Sequence, residues 1–185
     1  MATITTRLTI DDFERLPDEQ VKNHELVNGE LVDVSGNTPQ HNLIRDWFAE
    51  ELRPLVREHD LGLVITEQEY DFDGNAHGPD VSFFGTDKLP LLDMHKRVQR
   101  FVPDLAIEIV SERQTFQDLI RKKNRYRQCG TAEVWIVSPE SREVYLYSDR
   151  GNRILAAEDE LSTELLPGFR IRVKQLFETN LSPRR

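Results

Sequence analysis

The chain has 185 residues, 38% hydrophobic and 31% charged, which suits one globular domain with its own core and leaves little room for two. Its formal net charge of -9 argues against binding nucleic acid through the overall field of the protein. No apolar stretch reaches the roughly 20 residues that cross a bilayer, no signal-peptide core is present, and the single cysteine excludes an internal disulfide, so we expect a cytoplasmic protein without a membrane partner.

The first third of the chain predicts a short helix, a hairpin and a long helix. Thr9 can cap a helix that should end near Pro17. The segment "HELVNGELVDVSG" contains two alternating apolar runs around Asn28-Gly29, a dipeptide typical of a tight hairpin turn. From about residue 41 to 59, apolar residues including Leu43 recur at helical spacing and predict an amphipathic helix.

The remaining elements alternate between strands and helices. The segments "LGLVITEQEYDF" and "PDVSFFG" predict two strands split by a turn, and residues 85–99 a loop or short helix. A strand over about 101–110 and a helix ended by Gly130 follow. A hairpin joins "EVWIVS" to "EVYLYS", then come a weak strand near 153–157, a short helix near 172–178 and a frayed tail, "SPRR". This order indicates a mixed α/β domain whose central sheet is flanked by helices.

Two carboxylates lie where apolar strands are predicted. Glu108 is inside "LAIEIV", and Asp80 leads directly into "VSFF". A buried carboxylate costs several kcal/mol unless a cation or hydrogen bonds compensate it. If the two strands are neighbours, both carboxylates can meet on one side of the sheet and share Mg²⁺ or Mn²⁺. The alternative for Asp80 is a cap or turn residue at a strand edge.

One face of the predicted second helix could bring a lysine to the same place. Asp118, Lys122 and Tyr126 are spaced at i, i+4 and i+8, and the preceding loop could return the lysine to the mouth of the Glu108 strand. A lysine there can orient a water or stabilise charge on a phosphate. The spacing alone favours a plain surface pair between Asp118 and Lys122. Tyr126 could equally pack in the core or hydrogen-bond near the site.

Taken together, these segments resemble the Uma-type family of putative restriction endonucleases, a branch of the PD-(D/E)XK nuclease superfamily. The resemblance runs from about residue 9 to 178 and is carried by "HELVNGELVDVSG", "GPDVSFF", "VPDLAIEIVS", "DLIRKKNRYRQCGTAEVWIVSP" and "LPGFRIRV". It implies one nuclease-like domain over residues 1–185, with a restriction-endonuclease-like α/β fold in which helices flank a mixed central sheet.

The resemblance also implies a metal-dependent phosphodiesterase site. Asp80 matches the PD aspartate and Glu108 the acid of the second half-motif, and both would be ligands of Mg²⁺ or Mn²⁺. Val110 stands where the superfamily usually has its lysine. The lysine would therefore come from the following helix, as Lys122 rather than its neighbour Lys123.

Four further positions belong to this comparison. Glu25 matches an amino-terminal glutamate near the site, as a catalytic residue that ligates metal or holds water. His41 matches a histidine that opens the long helix, as an accessory residue or as a capping or structural one. Tyr126 is a second accessory candidate. Asp104 repeats the PD pattern, but we interpret it as a hydrogen-bonding residue at a strand start. The loop "SERQTFQD" departs from the Ser-Pro-Ser stretch of the family and leaves the reach of the lysine open.

These residues predict the hydrolysis of DNA phosphodiester bonds. The metal would polarise the phosphate and activate water, while Lys122 orients the nucleophile. Two basic segments, residues 95–100 and 121–128, would contact the DNA backbone, or else form solvated faces balanced by acids elsewhere. Two other functions stay open: a nuclease-fold module that binds nucleic acid or protein without cutting, and a hydrolase of another phosphate ester. A homodimer would let a nuclease engage two strands, but no stretch identifies an interface.

Overall fold

A computed structural model describes residues 7–111 and 115–178, so the tail "SPRR" lies outside the described residues. The α-helices are α1 (Ile10–Arg15), α2 (Asp18–Val21), α3 (Pro39–Glu58) and α4 (Phe116–Gln128), and two 3-10 helices span Thr86–Leu91 and Val173–Leu176. The strands are β1 (His24–Val27), β2 (Glu30–Asp33), β3 (Gly62–Thr66), β4 (Glu69–Asp71), β5 (Ala76–His77), β6 (Val81–Gly85), β7 (Val98–Gln99), β8 (Leu105–Ile109), β9 (Glu133–Ser138), β10 (Glu143–Ser148), β11 (Gly151–Leu155), β12 (Glu160–Ser162) and β13 (Arg170–Arg172).

The strands form two mixed sheets and one small hairpin. The six-stranded sheet has the order β11-β10-β9-β8-β6-β3, and only β8 and β9 within it run parallel. The five-stranded sheet has the order β2-β1-β5-β4-β7, with β4 and β7 parallel. The predicted class, a mixed α/β fold with a central sheet flanked by helices, is therefore confirmed, and the six-stranded sheet is the central one.

Alternation along β8 divides the core into two layers. Leu105 and Ile107 pack in the same cluster as Phe48 of α3, whereas Ala106 belongs with Tyr126 of α4 and with Tyr70 of β4. Successive side chains of a strand point to opposite faces, so α3 and α4 cover opposite faces of the central sheet. Glu108 continues the Ala106 face, which directs its carboxylate towards α4.

The predicted amino-terminal elements are confirmed. The Thr9 side chain accepts a hydrogen bond from the Asp12 N–H, and α1 ends at Arg15, before Pro17. Asn28 and Gly29 have φ angles of 53° and 81°, which is the left-handed pair that a two-residue hairpin turn requires. One detail of α3 differs, because Leu43 is 40% exposed instead of contributing to the buried face.

The prediction of one strand over "LGLVITEQEYDF" is wrong. Glu67, at a left-handed φ of 56°, interrupts this segment, so β3 joins the central sheet and β4 joins the five-stranded sheet. The strand predicted from residue 101 begins only at Leu105. Pro103 cannot donate a ladder hydrogen bond, which keeps the residues before it outside the strand.

The carboxyl-terminal hairpin is confirmed as β9 and β10, and the weak strand near 153–157 is β11. The short helix predicted near 172–178 is a single 3-10 segment. The hairpin of β12 and β13 was not predicted, because strands of three residues contain too little alternation to detect. None of the helices within the described residues combines the length and hydrophobicity that spanning a bilayer requires.

Helix α4 is the crossover between the parallel strands β8 and β9. Thr115 caps it, with its side chain accepting from the Asp118 N–H, and Gly130 follows its end at a φ of 103°. A crossover of this kind returns across the sheet and packs against it. It therefore carries Lys122 back over β8.

Candidate active site

The central sheet brings the two strand carboxylates together. The antiparallel register that pairs Val81 with Ile107 places Asp80 across from Glu108, at the same end of the sheet. Asp80 Oδ2 accepts the backbone N–H of Ile109 at 2.6 Å, and both carboxylates line one cavity. The strands predicted to carry these acids are neighbours, as the sequence argument required.

Lys122 reaches both glutamates of the site. Its Nζ lies 3.2 and 3.1 Å from the two carboxylate oxygens of Glu108 and 2.9 Å from Oε1 of Glu25. The plain surface pair with Asp118 is not formed, since Asp118 bonds to Thr115 and Arg121 instead. Burial makes the difference: Lys122 faces the sheet and needs charged partners, whereas Asp118 lies in the exposed first turn of α4.

Glu25 comes from the five-stranded sheet and has donors on several sides. The register that pairs Leu26 with Ala76 places Glu25 across from His77. His77 Nδ1 lies 2.9 Å from Glu25 Oε2, and the N–H of Gly78 donates to Oε1 at 3.2 Å. With Lys122 as well, this carboxylate is enclosed by hydrogen-bond donors.

His77 is held as the neutral tautomer with hydrogen on Nδ1. Its Nε2 lies 2.8 Å from Nη1 of Arg125, and a guanidinium can only donate, so Nε2 must accept. Nδ1 is then the donor to Glu25. Burial lowers the pKa of His77, which favours the same neutral form. Arg125 also donates to the Asn28 side chain at 3.1 Å, which anchors α4 to the hairpin turn.

The two glutamates differ in charge state although both are buried and both contact Lys122. Burial raises the pKa of Glu108 most, Lys122 lowers it, and the nearby carboxylates of Asp80 and Glu25 raise it again, to about 7. Burial also raises the pKa of Glu25, but Lys122 and His77 outweigh it and bring the value down to about 2. Burial lowers the pKa of Lys122, but the two glutamates outweigh it and raise the net value, so the ammonium persists.

Tyr126 has both of the roles that its position allowed. Its hydroxyl donates to Glu108 Oε1 at 2.6 Å, and its ring stacks on Phe72 with centroids 4.2 Å apart. Burial and the Glu108 charge raise the pKa of the phenol well above its usual value, so it remains a donor. Packing thus fixes the ring, and the ring fixes the Glu108 carboxylate.

His41 contacts the other carboxylate. Its Nε2 lies 3.2 Å from Asp80 Oδ1, and Thr38, not His41, provides the side-chain cap of α3. Burial lowers the pKa of His41, but the contact with Asp80 outweighs it and raises the net value. The capping interpretation of His41 is therefore wrong, and its side chain belongs to the cavity.

The donor set fits a hard divalent cation. The cavity measures about 240 Å³ and is open to solvent, and its wall includes Glu25, His41, Asp80, Glu108, Ser111 and Lys122. Within residues 7–111 and 115–178, no three His, Cys, Asp or Glu side chains are placed to hold a metal together. Mg²⁺ commonly uses only one or two carboxylates and fills its other positions with waters and substrate oxygens. Asp80 and Glu108 meet that requirement.

The basic segments do not form a free cationic surface. In the first, Arg97 makes a two-pronged contact with Glu69 at 2.5 and 2.7 Å, and Arg100 contacts Asp71 at 3.0 Å. In the second, Lys122 contacts Glu25 within the site and Arg125 bonds to His77. Acids elsewhere in the chain therefore balance much of this charge, as the alternative interpretation held.

Sequence reasoning missed His77 and Arg125. The only signal for His77 was its place in "HGPD", three residues before Asp80, and Arg125 was one cation among several on α4. Asp104 behaves as interpreted: it accepts from the Gly85 N–H at 2.7 Å and from Lys88 Nζ at 2.5 Å, at the start of β8.

Comparison with known proteins identifies the fold and the family of the chain. The crystal structure of a putative nuclease belonging to DUF820 from Anabaena variabilis superimposes with a TM-score of 0.82, covering 92% of this chain and 97% of that one. At 19% identity this likeness establishes the shared fold. No curated protein matches the sequence. The model of the Uma2 family, described as putative restriction endonucleases, matches residues 10–174, and the chain belongs to that family.

Proposed function

We propose that the protein is a metal-dependent endonuclease that hydrolyses phosphodiester bonds in DNA. The observation that carries the proposal is the meeting of Asp80 and Glu108 from adjacent strands in one open cavity, with Lys122 between Glu108 and Glu25. Family membership supports the same reaction class. Burial first, and then the nearby carboxylates of Asp80 and Glu25, raise the pKa of Glu108, and a cation beside these carboxylates would offset their repulsion.

Asp80 and Glu108 would hold Mg²⁺ or Mn²⁺. Such an ion, when bound, polarises a phosphate and lowers the pKa of a coordinated water. His41 and the Ile109 N–H orient the Asp80 carboxylate, and Tyr126 orients that of Glu108. These contacts hold the carboxylates in position before any ligand arrives.

Lys122 orients the attacking water and stabilises the charge that develops on the phosphate. Its ammonium is pinned by Glu108 on one side and Glu25 on the other. Glu25 thereby acts on the reaction through Lys122, and it can also hold a water in the cavity. A preorganised cation of this kind in a partly buried site stabilises transition-state charge without reorganisation.

The decisive experiment is plasmid nicking in Mg²⁺ or Mn²⁺ by the wild type and by Asp80→Asn, Glu108→Gln and Lys122→Met. The matched control is Asp104→Asn, which alters the other Pro-Asp aspartate, outside the cavity. We expect nicking to fall at least about a hundredfold in the three site variants and to persist in the control. A wild type that leaves plasmid, single-stranded DNA and RNA intact in both metals contradicts the proposal, and cleavage of small phosphodiesters alone would redirect it to another phosphate ester.

A second candidate is a nuclease-fold module that binds without cutting. The observation in its favour is that Lys122 already bridges Glu25 and Glu108, so these buried charges are partnered without a metal. Calorimetry separates the two functions. The nuclease binds Mg²⁺ or Mn²⁺ and loses this binding in Asp80→Asn, whereas a closed polar cluster binds neither ion.

A further inference from the structure

We propose that the Arg45 guanidinium binds a substrate phosphate at the mouth of the cavity. When substrate is absent, the Glu67 carboxylate pairs with Arg45 instead of the phosphate. This inference rests on the proposed function and identifies a contact that the two basic segments do not provide. When nucleic acid binds, one of its phosphates would replace the Glu67 carboxylate at the Arg45 guanidinium.

Arg45 lies next to the candidate catalytic residues. It follows His41 by four positions on α3, so both side chains are on the same helix face, and His41 contacts Asp80. Glu67 lines the cavity together with Asp80, and its backbone N–H donates to the Asp80 carbonyl oxygen at 3.2 Å. The ion pair between Arg45 and Glu67 therefore stands beside the cleft.

Two exposed carboxylates hold the Arg45 guanidinium. Nη1 of Arg45 contacts Glu67 Oε1 at 2.5 Å, and its Nε and Nη2 contact Asp46 Oδ1 at 3.1 and 3.0 Å. The Arg45 side chain is only 18% exposed, but those of Glu67 and Asp46 are each 57% exposed. Either carboxylate can turn into water at little cost while the arginine stays in position. The vacated edge suits the paired oxygens of a phosphate.

The backbone of Glu67 points to the same use. Its φ of 56° is a left-handed conformation that glycine and asparagine adopt more readily than glutamate. This residue forms the break between β3 and β4, where a turn residue would be less strained. A glutamate at such a position is consistent with a role for its side chain.

The arginine in the wall of the cavity has different surroundings. Arg97 pairs with Glu69, whose side chain is only 12% exposed, donates to the Val21 carbonyl at 2.9 Å and packs over the Phe13 ring. It is tied to the core of the five-stranded sheet and cannot release its carboxylate without breaking those contacts. Arg45 is therefore the exchangeable cation of the two.

The test measures the affinity of a short fluorescein-labelled DNA duplex by anisotropy in Ca²⁺ buffer, for Glu67→Gln, Arg45→Gln and the double variant. Glu140→Gln, in the exposed turn between β9 and β10, is the control for the change in net charge. We expect Glu67→Gln to bind roughly threefold more tightly and Glu140→Gln to bind as the wild type does. Arg45→Gln should bind roughly tenfold more weakly, with a salt dependence smaller by about one counterion. In the Arg45→Gln background, Glu67→Gln should have no effect.

Two results would overturn the inference. One is that Glu67→Gln binds no more tightly than Glu140→Gln, and the other is that Arg45→Gln binds as the wild type does. A purely structural ion pair would lower the melting temperature in both variants without tighter binding in either. Plasmid nicking by the same proteins in Mg²⁺ separates the two proposals. If the wild type nicks plasmid but neither substitution changes the DNA affinity, the Arg45 proposal fails and the nuclease proposal stands. If the affinities change as expected but the wild type does not nick plasmid, the nuclease proposal fails and the Arg45 site stands.

Discussion

Glu25 and Glu108 are both buried, both contact the same ammonium, and yet their pKa values move in opposite directions, to about 2 and about 7. Lys122 lowers the pKa of both glutamates, and the other groups around them differ. Glu25 also has His77 and a backbone N–H as donors, whereas Glu108 faces a second carboxylate, Asp80.

The two glutamates therefore differ in how fully neighbouring donors and cations compensate the carboxylate charge. The Glu25 side, supplied by the five-stranded sheet, has its donors in place. The Glu108 side, supplied by the central sheet, has the Asp80 carboxylate as a neighbour, and in the proposed function an added cation would offset their repulsion. Four experiments test the difference between the two sides.

The largest effect should come from Lys122→Met, which removes the cation that both glutamates share. We expect a loss of about 3–5 kcal/mol in the free energy of unfolding, because two buried carboxylates are left without their main partner. Urea denaturation at neutral pH measures it. Lys123→Met changes the neighbouring lysine and should cost far less. If Lys122→Met lost no more free energy of unfolding than Lys123→Met, Lys122 would not stabilise the fold through Glu25 and Glu108.

The second experiment compares Glu25→Gln with Glu108→Gln, the same change on the two sides. Glu25→Gln should lower the free energy of unfolding by about 2–3 kcal/mol, because it removes the carboxylate that His77 and Lys122 share. Glu108→Gln should cost less than about 1 kcal/mol, since it also relieves repulsion with Asp80. If Glu108→Gln lost more free energy of unfolding than Glu25→Gln, Glu108 would be the more stabilising carboxylate of the two.

The third experiment is the pH dependence of stability, where the two glutamates act with opposite sign. A folded-state pKa of about 2 for Glu25, below its ordinary 4.5, gives a contribution that is present above pH 4.5 and is lost as pH falls towards 2. A folded-state pKa of about 7 for Glu108 gives a contribution that is full below pH 4.5 and is lost as pH rises through 7.

Each of these two changes in stability should amount to about 3 kcal/mol and should be absent in the matching glutamine variant. Chemical denaturation across the two ranges measures both changes. Mg²⁺ should also suppress the decline between pH 4.5 and 7, because a bound cation would compensate the ionised Glu108. A decline that persists in Glu108→Gln would assign it to another group.

The smallest effect should come from His77→Gln, which weakens the hydrogen bond from residue 77 to Glu25. We expect a loss of about 1 kcal/mol in the free energy of unfolding, the typical value of one hydrogen bond. The more exposed His24 provides the control, as His24→Gln. If the two variants unfold alike, the contact of His77 with Glu25 adds no stability.

Local chemistry made much of the fold predictable. The Asn28-Gly29 turn, the Thr9 cap and the end of α4 near Gly130 follow from backbone preferences of a few adjacent residues. The break at Glu67 did not follow, because glutamate is not a turn signal and its contacts with Arg45 and Asp80 are long-range in the sequence. The three-residue strands β12 and β13 did not follow either, because they contain too little alternation.

The sequence by itself determined the family resemblance, the α/β class and the candidates Asp80, Glu108 and Lys122, because these depend on short motifs and their order. Only the tertiary structure decided which charges meet. Lys122 bonds to a glutamate 97 residues earlier in the chain, and His77 to the same glutamate across 52 residues, contacts that no local pattern encodes. Charge states depend on burial and on every nearby charge at once, so the opposite behaviour of two similar glutamates arises only when both sheets and α4 have come together.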